Sequence, residues 1–153
     1  MKHVSLIVAL FIVSFLSAQT TNDYLEITRD VIKTEKKAAI AEVMELSETE
    51  SQPFWNLYNE YEGKLYALGN KRIEIIKSYA DNYENLSNEK ADELIMDYFK
   101  YETDLLKLKK NYYKQFKKIL PAGKAAKFFQ AESKIQAMVD AKLALEIPMM
   151  ETN

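Results

Sequence analysis

From Phe54 onward apolar side chains recur at steps of four and three, through Phe54, Tyr58, Tyr61, Leu65, Leu68, Ile75, Tyr79 and Leu86, with Arg72 the one charged interruption. A 3.5-residue repeat is the period of a packed helical seam. After a break at residues 82–88 the alternation resumes through Leu94, Tyr98, Tyr101, Leu105, Leu108, Tyr112, Gln115 and Ile119, now without a charged interruption. The pattern predicts two long helices folded back on each other near residues 85–87, so that Trp55 and Lys117, equidistant from Leu86, mark ends that meet. A helix from Ser47 to Glu84 would be roughly 60 Å long at 1.5 Å per residue, and the molecule is expected to be elongated.

The starts of these helices are legible. Leu46-Ser47-Glu48-Thr49-Glu50 is a capping box, with Ser47 as N-cap and Glu50 three residues on. Pro53 offers a rival start, with Ser51 as cap and the proline in the first turn. Leu86-Ser87-Asn88-Glu89 repeats the pattern and makes Ser87 the cap of the next helix. Gly63 and Gly69, six residues apart, are expected to be weak points or a bend.

Two further helices flank the pair. Leu25, Ile32, Ala39 and Leu46, with Ile27, Val31 and Val43 beside them, predict a first helix over Asn22 to Leu46, capped by Asn22 or Asp23. Ala125, Phe128, Ile135, Met138 and Val139 give a fourth helix from Pro121 to about Leu145 its apolar face, and Ile147 to Met150 are expected to tuck against the bundle. The fold class is all-α: an elongated four-helix arrangement built on a long antiparallel helical hairpin. Three glycines and three prolines in 153 residues leave an all-β chain almost no turns to work with.

Composition adds a compartment. Met1-Lys2-His3, an apolar run from Val4 to Phe15 and Leu16-Ser17-Ala18 form a secretory signal pattern too short to span a bilayer, so residues 1–18 are read as a signal peptide and 19–153 as a single helical domain. A periplasmic or secreted protein without stable membrane insertion is expected. Its loss removes Lys2 and no acid, leaving 20 basic against 23 acidic side chains and no general attraction for nucleic acid.

The single histidine, His3, lies in that segment, and there is no cysteine. Thiol chemistry, Ser-His and Cys-His pairs and imidazole or thiolate metal sites are thereby excluded from residues 19–153. Pairs such as Glu89 with Glu93 lack a loop of clustered oxygen ligands and read as solvated helix surface. No catalytic residue, metal site or cofactor is predicted, and binding is favoured over catalysis.

Charge is segregated. Residues 42–62 carry six acids and no base, whereas 100–127 carry nine lysines and two acids. One account is internal pairing between the start of the second helix and the end of the third. Five of the lysines, Lys100, Lys107, Lys110, Lys114 and Lys117, also form a stripe opposite the seam, bordered by Phe99, Leu106 and Tyr113 seven residues apart. If other helices cover these three, they are core; if not, they are an exposed binding surface.

On these residues the chain resembles the Spy/CpxP family of periplasmic proteins, with a signal segment, four helices and a Leu-Thr-x-x-Gln motif near two helix starts. Leu46-Ser47-Glu48-Thr49-Glu50 keeps the leucine and the hydroxyl but has Glu for Gln; Leu120-Pro121-Ala122-Gly123-Lys124 keeps the leucine alone. The resemblance implies a cradle-shaped antiparallel homodimer that holds unfolded or partner proteins on a basic, partly apolar face, without ATP, in an envelope stress context. The lysine stripe with Phe99, Leu106 and Tyr113 corresponds to that face. A regulatory or structural module docking on one envelope partner is the alternative. The metal-sensing branch of the family uses histidines that residues 19–153 lack. N-terminal sequencing of the exported protein should begin at Gln19; a sequence starting within the first ten residues would overturn the signal assignment.

Overall fold

The computed structural model describes residues 33–151. The signal segment, the Asn22 or Asp23 cap and the first helix's apolar positions up to Ile32 lie outside the described residues. The chain divides into two compact units, Met1–Ala39 and Ile40–Asn153. Residues 33–44 are helical and form α1, whose last residues open the second unit. There α2 is Glu48–Asn82, α3 is Asn88–Ile119 and α4 is Ala122–Glu146, with a short 3-10 turn, Tyr83–Asn85, between α2 and α3. All four elements are α-helical, and no strand occurs among the described residues.

Local chemistry sets the boundaries. α1 ends where Glu45 takes a left-handed φ of 46°, a conformation costing a non-glycine residue on the order of 1 kcal/mol. Two residues later Ser47 caps α2, and its extended backbone stops the chain from continuing α1. The Glu50 carboxylate accepts from both the Ser47 amide and the Ser47 hydroxyl, each at 3.0 Å. The helix therefore starts ahead of Pro53, and the rival start at Ser51 is not used. α2 runs unbroken through Gly63 and Gly69 for 35 residues, about 52 Å at 1.5 Å per residue. At the far end the Ser87 hydroxyl accepts from the Lys90 amide at 3.2 Å and opens α3.

The seam expected on α2 is the one that packs. Phe54, Tyr58, Tyr61 and Tyr79 are buried and Leu65, Leu68, Arg72 and Ile75 half-buried. On α3, Leu94, Tyr101, Leu105 and Tyr112 are buried as their spacing requires, but Tyr98 is exposed and Phe116, one position off the seam, is fully enclosed. Phe116 is drawn inward by α4. Its ring lies 4.6 Å from Phe128 and 5.4 Å from Phe54, and Phe54 lies 5.4 Å from Phe128. One aromatic from each of three helices thus closes the open end of the hairpin.

Two other faces differ from expectation. On α1 the buried pair is Ile40 and Met44, while Ala39 and Val43 are exposed. The buried face is thus displaced by about one position from the expected one, with Ile40 and Met44 in the cluster around Phe54. On α4 Met138 is exposed, and Glu132 takes a core position beside Phe128 with 3% of its surface accessible. The Tyr61 hydroxyl donates to the Glu132 carboxylate at 3.3 Å, a contact with no counterpart in the apolar periodicity.

Toward the Tyr83 end the apolar core thins and polar clamps hold α4 to α2. The Arg72 guanidinium donates to Asp140 at 2.6 Å and lies 5.9 Å from the centre of the Tyr101 ring, and Gln136 donates to the same Asp140 oxygen at 2.9 Å. Past α4, the Tyr79 hydroxyl donates to the Pro148 carbonyl at 3.1 Å. The tail is tied at this point, with Ile147 half-buried and Met149 exposed. Truncating Phe128 or Phe116 to Ala should cost about 3–5 kcal/mol, because each leaves a void where three helices meet. Met138→Ala should change urea-unfolding stability by about 0.5 kcal/mol or less. Equal costs for the two classes would show that the aromatic end is not the centre of stability.

Candidate binding surface

The electrostatics resolve which lysines are spent inside the unit. Lys124, in the first turn of α4, donates to the Glu50 carboxylate at 2.5 Å and to the Glu45 carbonyl at 3.4 Å. Lys127, one turn later, lies 3.8 Å from the exposed Glu45 carboxylate. Glu50 and Glu45 are thus met by α4, not by the lysines of α3. Glu60 goes to a neutral partner, the Tyr112 hydroxyl, which donates at 2.8 Å. Burial, with that carboxylate alongside, raises Tyr112 to about 12.

Glu50 is the best-partnered carboxylate of the group. The hydrogen bond from Lys124, followed by that from the Ser47 amide, holds it at about 2 against an ordinary value of 4.5. Deeper in, Tyr58 and Tyr61 are pushed far above the usual phenol range by burial, with Glu62 and Glu132 nearby adding to the shift. The Tyr58 hydroxyl has no hydrogen-bond partner among the described residues.

The α3 lysines divide into two sets. Lys100 and Lys107 stand on the walls of the groove between α2 and α3. Lys100 lines a depression of about 320 Å³ that also carries Lys71, Glu74, Asp97 and Asp104. Lys107 approaches Asp104 at 3.6 Å, an exposed pair of little energetic weight. Lys110, Lys114 and Lys117 are exposed and without an ion pair among the described residues. Their charge is not neutralised inside the unit.

The aromatic edge also divides. Tyr113 is half-buried against Phe129 of α4, 5.7 Å between ring centres, and Lys117 Nζ sits 4.9 Å from the Tyr113 ring centre. Of the three border residues, Tyr113 is therefore largely packing. Phe99 and Leu106 are uncovered, with 54% and 53% of their surfaces accessible. Met96, at 58%, extends the same line and was not among the residues singled out from the sequence. Its signal was present, since Met96, Phe99, Thr103, Leu106 and Lys110 follow a second three-four alternation on the side opposite the seam.

This surface is open. Beside Leu106 lies a shallow depression of about 330 Å³ lined by Glu102, Thr103, Leu105 and Lys109. It suits a broad partner, since a small molecule would stay largely in water there. Among the described residues no group of three or more acids, histidines or cysteines is placed to hold a metal ion, and no helix is long and apolar enough to cross a membrane.

No family model, curated protein or solved structure matches this chain.

The folded-state value of Glu50 lies below its unfolded value, so its contribution to stability is complete above about pH 4.5 and is lost as pH falls toward about 2. Glu50→Gln should flatten the fall in melting temperature across that window and lower the melting temperature at neutral pH. Lys124→Met should do the same by removing the cation. If either variant keeps the wild-type pH slope, the Glu50–Lys124 bond is not a folding contact.

Proposed function

We propose that this chain is an exported, ATP-independent, chaperone-like protein that holds non-native or partner proteins in the cell envelope under stress. The supporting observation is the uncovered pair Phe99 and Leu106 beside the unneutralised Lys110, Lys114 and Lys117. Exposed apolar groups supply weak contacts that ask little of a partner's shape. Unpaired lysines speed encounter with chains carrying local negative charge, and that effect weakens with salt.

The division of the stripe refines the proposal. Lys110, Lys114 and Lys117 are assigned the encounter role and Phe99, Leu106 and Met96 the contact role. Lys100 and Lys107 border the α2–α3 groove among acids and contribute less. Tyr113 supports Lys117 from beneath and is not itself a contact group.

Aggregation of reduced α-lactalbumin, followed by light scattering, tests this. The wild type should suppress scattering at equimolar amounts, less so at high salt. Replacing Lys110, Lys114 and Lys117 by Glu should slow suppression, Phe99→Ser with Leu106→Ser should abolish most of it, and Lys100→Glu with Lys107→Glu should do markedly less. No suppression by the wild type, or suppression indifferent to all these changes, would sink the proposal. One stoichiometric partner recovered by pull-down, with no effect on lactalbumin, would favour docking on a single envelope protein.

A further inference from the structure

Phe99, Leu106, Lys110 and Lys117 follow one another at steps of seven, four and seven. At 100° per residue they stay within an arc of about 40° on the side of α3 away from its seam. All four are exposed, as are Met96, Thr103 and Lys114 along one border of the line.

Charge around this line is uneven. Asp92 lies on it near the start of the helix, where Glu89 and Glu93 are also exposed. In the middle the signs are mixed. Lys107 approaches Asp104 at 3.6 Å, Glu102 shares with Lys109 the depression beside Leu106, and Lys100 stands in the α2–α3 groove with Glu74, Asp97 and Asp104. Farther along the balance ends, because residues 105–131 hold eight lysines and no acid. Lys124 and Lys127 go to Glu50 and Glu45, whereas Lys110, Lys114, Lys117 and Lys118 are exposed and form no ion pair among the described residues. Glu42 and Glu48, also exposed at this end, belong to helices that pack on the Phe54–Phe116 cluster, across α3 from the line.

Uncovered apolar groups followed by unpaired cations on one line of one helix match the surface of an anionic phospholipid bilayer. Apolar side chains enter the boundary between headgroups and acyl chains, while lysines extend their stems to lipid phosphates. A soluble polyanion engages the lysines alone and leaves Leu106 and Phe99 in water. Asp92 opposes the bilayer, but it is about 27 Å from Lys110 along the helix, more than three times the Debye length of about 8 Å at physiological salt. It therefore does not cancel the lysines. Its repulsion tips the helix so that the last turns sit lower, Leu106 makes the main apolar contact and Phe99 stands at the margin.

We propose that α3 docks this protein reversibly on an anionic phospholipid bilayer, with Leu106 entering the headgroup–acyl boundary and Lys110, Lys114, Lys117 and Lys118 holding lipid phosphates. Docking of this kind is independent of client holding, and the vesicles that test it carry no protein.

Cosedimentation of the exported chain with lipid vesicles is the test, with helicity checked by circular dichroism. The wild type should bind vesicles of phosphatidylglycerol mixed with phosphatidylcholine, should not bind phosphatidylcholine alone, and should be released by about 0.5 M salt. Replacing Lys110, Lys114 and Lys117 by Gln should weaken binding on the order of a hundredfold, about fivefold for each lysine. Leu106→Ser should weaken it about tenfold. Met138→Ser, on the exposed side of α4, should change it less than about twofold. Because the chain has no cysteine, a polarity-sensitive dye on Leu106→Cys reports from one place. Its emission should shift to the blue on anionic vesicles, and the same dye on Asn88→Cys, on the same line at the start of α3, should not shift. A wild type that fails to bind anionic vesicles overturns the proposal, whether or not polyphosphate retains it, and so does equal binding to neutral vesicles. Binding that Leu106→Ser leaves unchanged marks a polyanion patch only and also overturns it. A loss with Met138→Ser as large as with Leu106→Ser takes the contact away from α3, and equal dye shifts at both positions overturn the tipped placement.

Discussion

The packing of Phe54, Phe116 and Phe128 at the open end of the hairpin is the contact on which the rest of the second unit depends. A two-helix hairpin cannot enclose its own seam, and these rings recruit α4, and with it the end of α1, to seal one end. Their centres lie 4.6 to 5.4 Å apart, in tilted and edge-on arrangements that add to simple burial of area. Ile40 and Met44 are fully enclosed in the same cluster. The Glu50–Lys124 bond sits at its rim and fixes the start of α4 against the turn that opens α2.

From that anchor, stability is graded along the hairpin. Aromatic burial gives way to the Arg72–Asp140 and Tyr79–Pro148 contacts, which tie α4 and the tail by individual polar bonds. Salt-sensitive, partly exposed bonds are weaker than a packed core, so local opening is expected to begin at the Tyr83 end. Only one side of α3 is committed to packing. The other leaves Phe99, Leu106 and Met96 in water.

Internal pairing uses only part of the lysine-rich stretch, and the fold decides which part. Lys124 and Lys127 are spent on Glu50 in the first turn of α2 and on Glu45 just before it, Lys100 and Lys107 border the α2–α3 groove, and Lys110, Lys114 and Lys117 form no ion pair among the described residues. Sequence charge segregation offered pairing between the start of α2 and the end of α3 as one account, whereas Glu50 and Glu45 pair with Lys124 and Lys127 of α4.

Local pattern was enough to place α2, α3 and α4 to within a few residues, with two starts open for α2, and to mark most of the central seam. Those features follow from local backbone hydrogen bonding and from a side-chain period that is the same in any context. It also placed Phe99, Leu106 and Tyr113 on one line, since seven residues return a helix to nearly the same angle. Only the tertiary structure decided that α4 covers Tyr113 and leaves Phe99 and Leu106 open, that Phe116 turns inward, and that Glu132 is buried against Tyr61. Each of these depends on where a helix distant in sequence comes to rest, and periodicity within one helix holds no record of what lies against its other side.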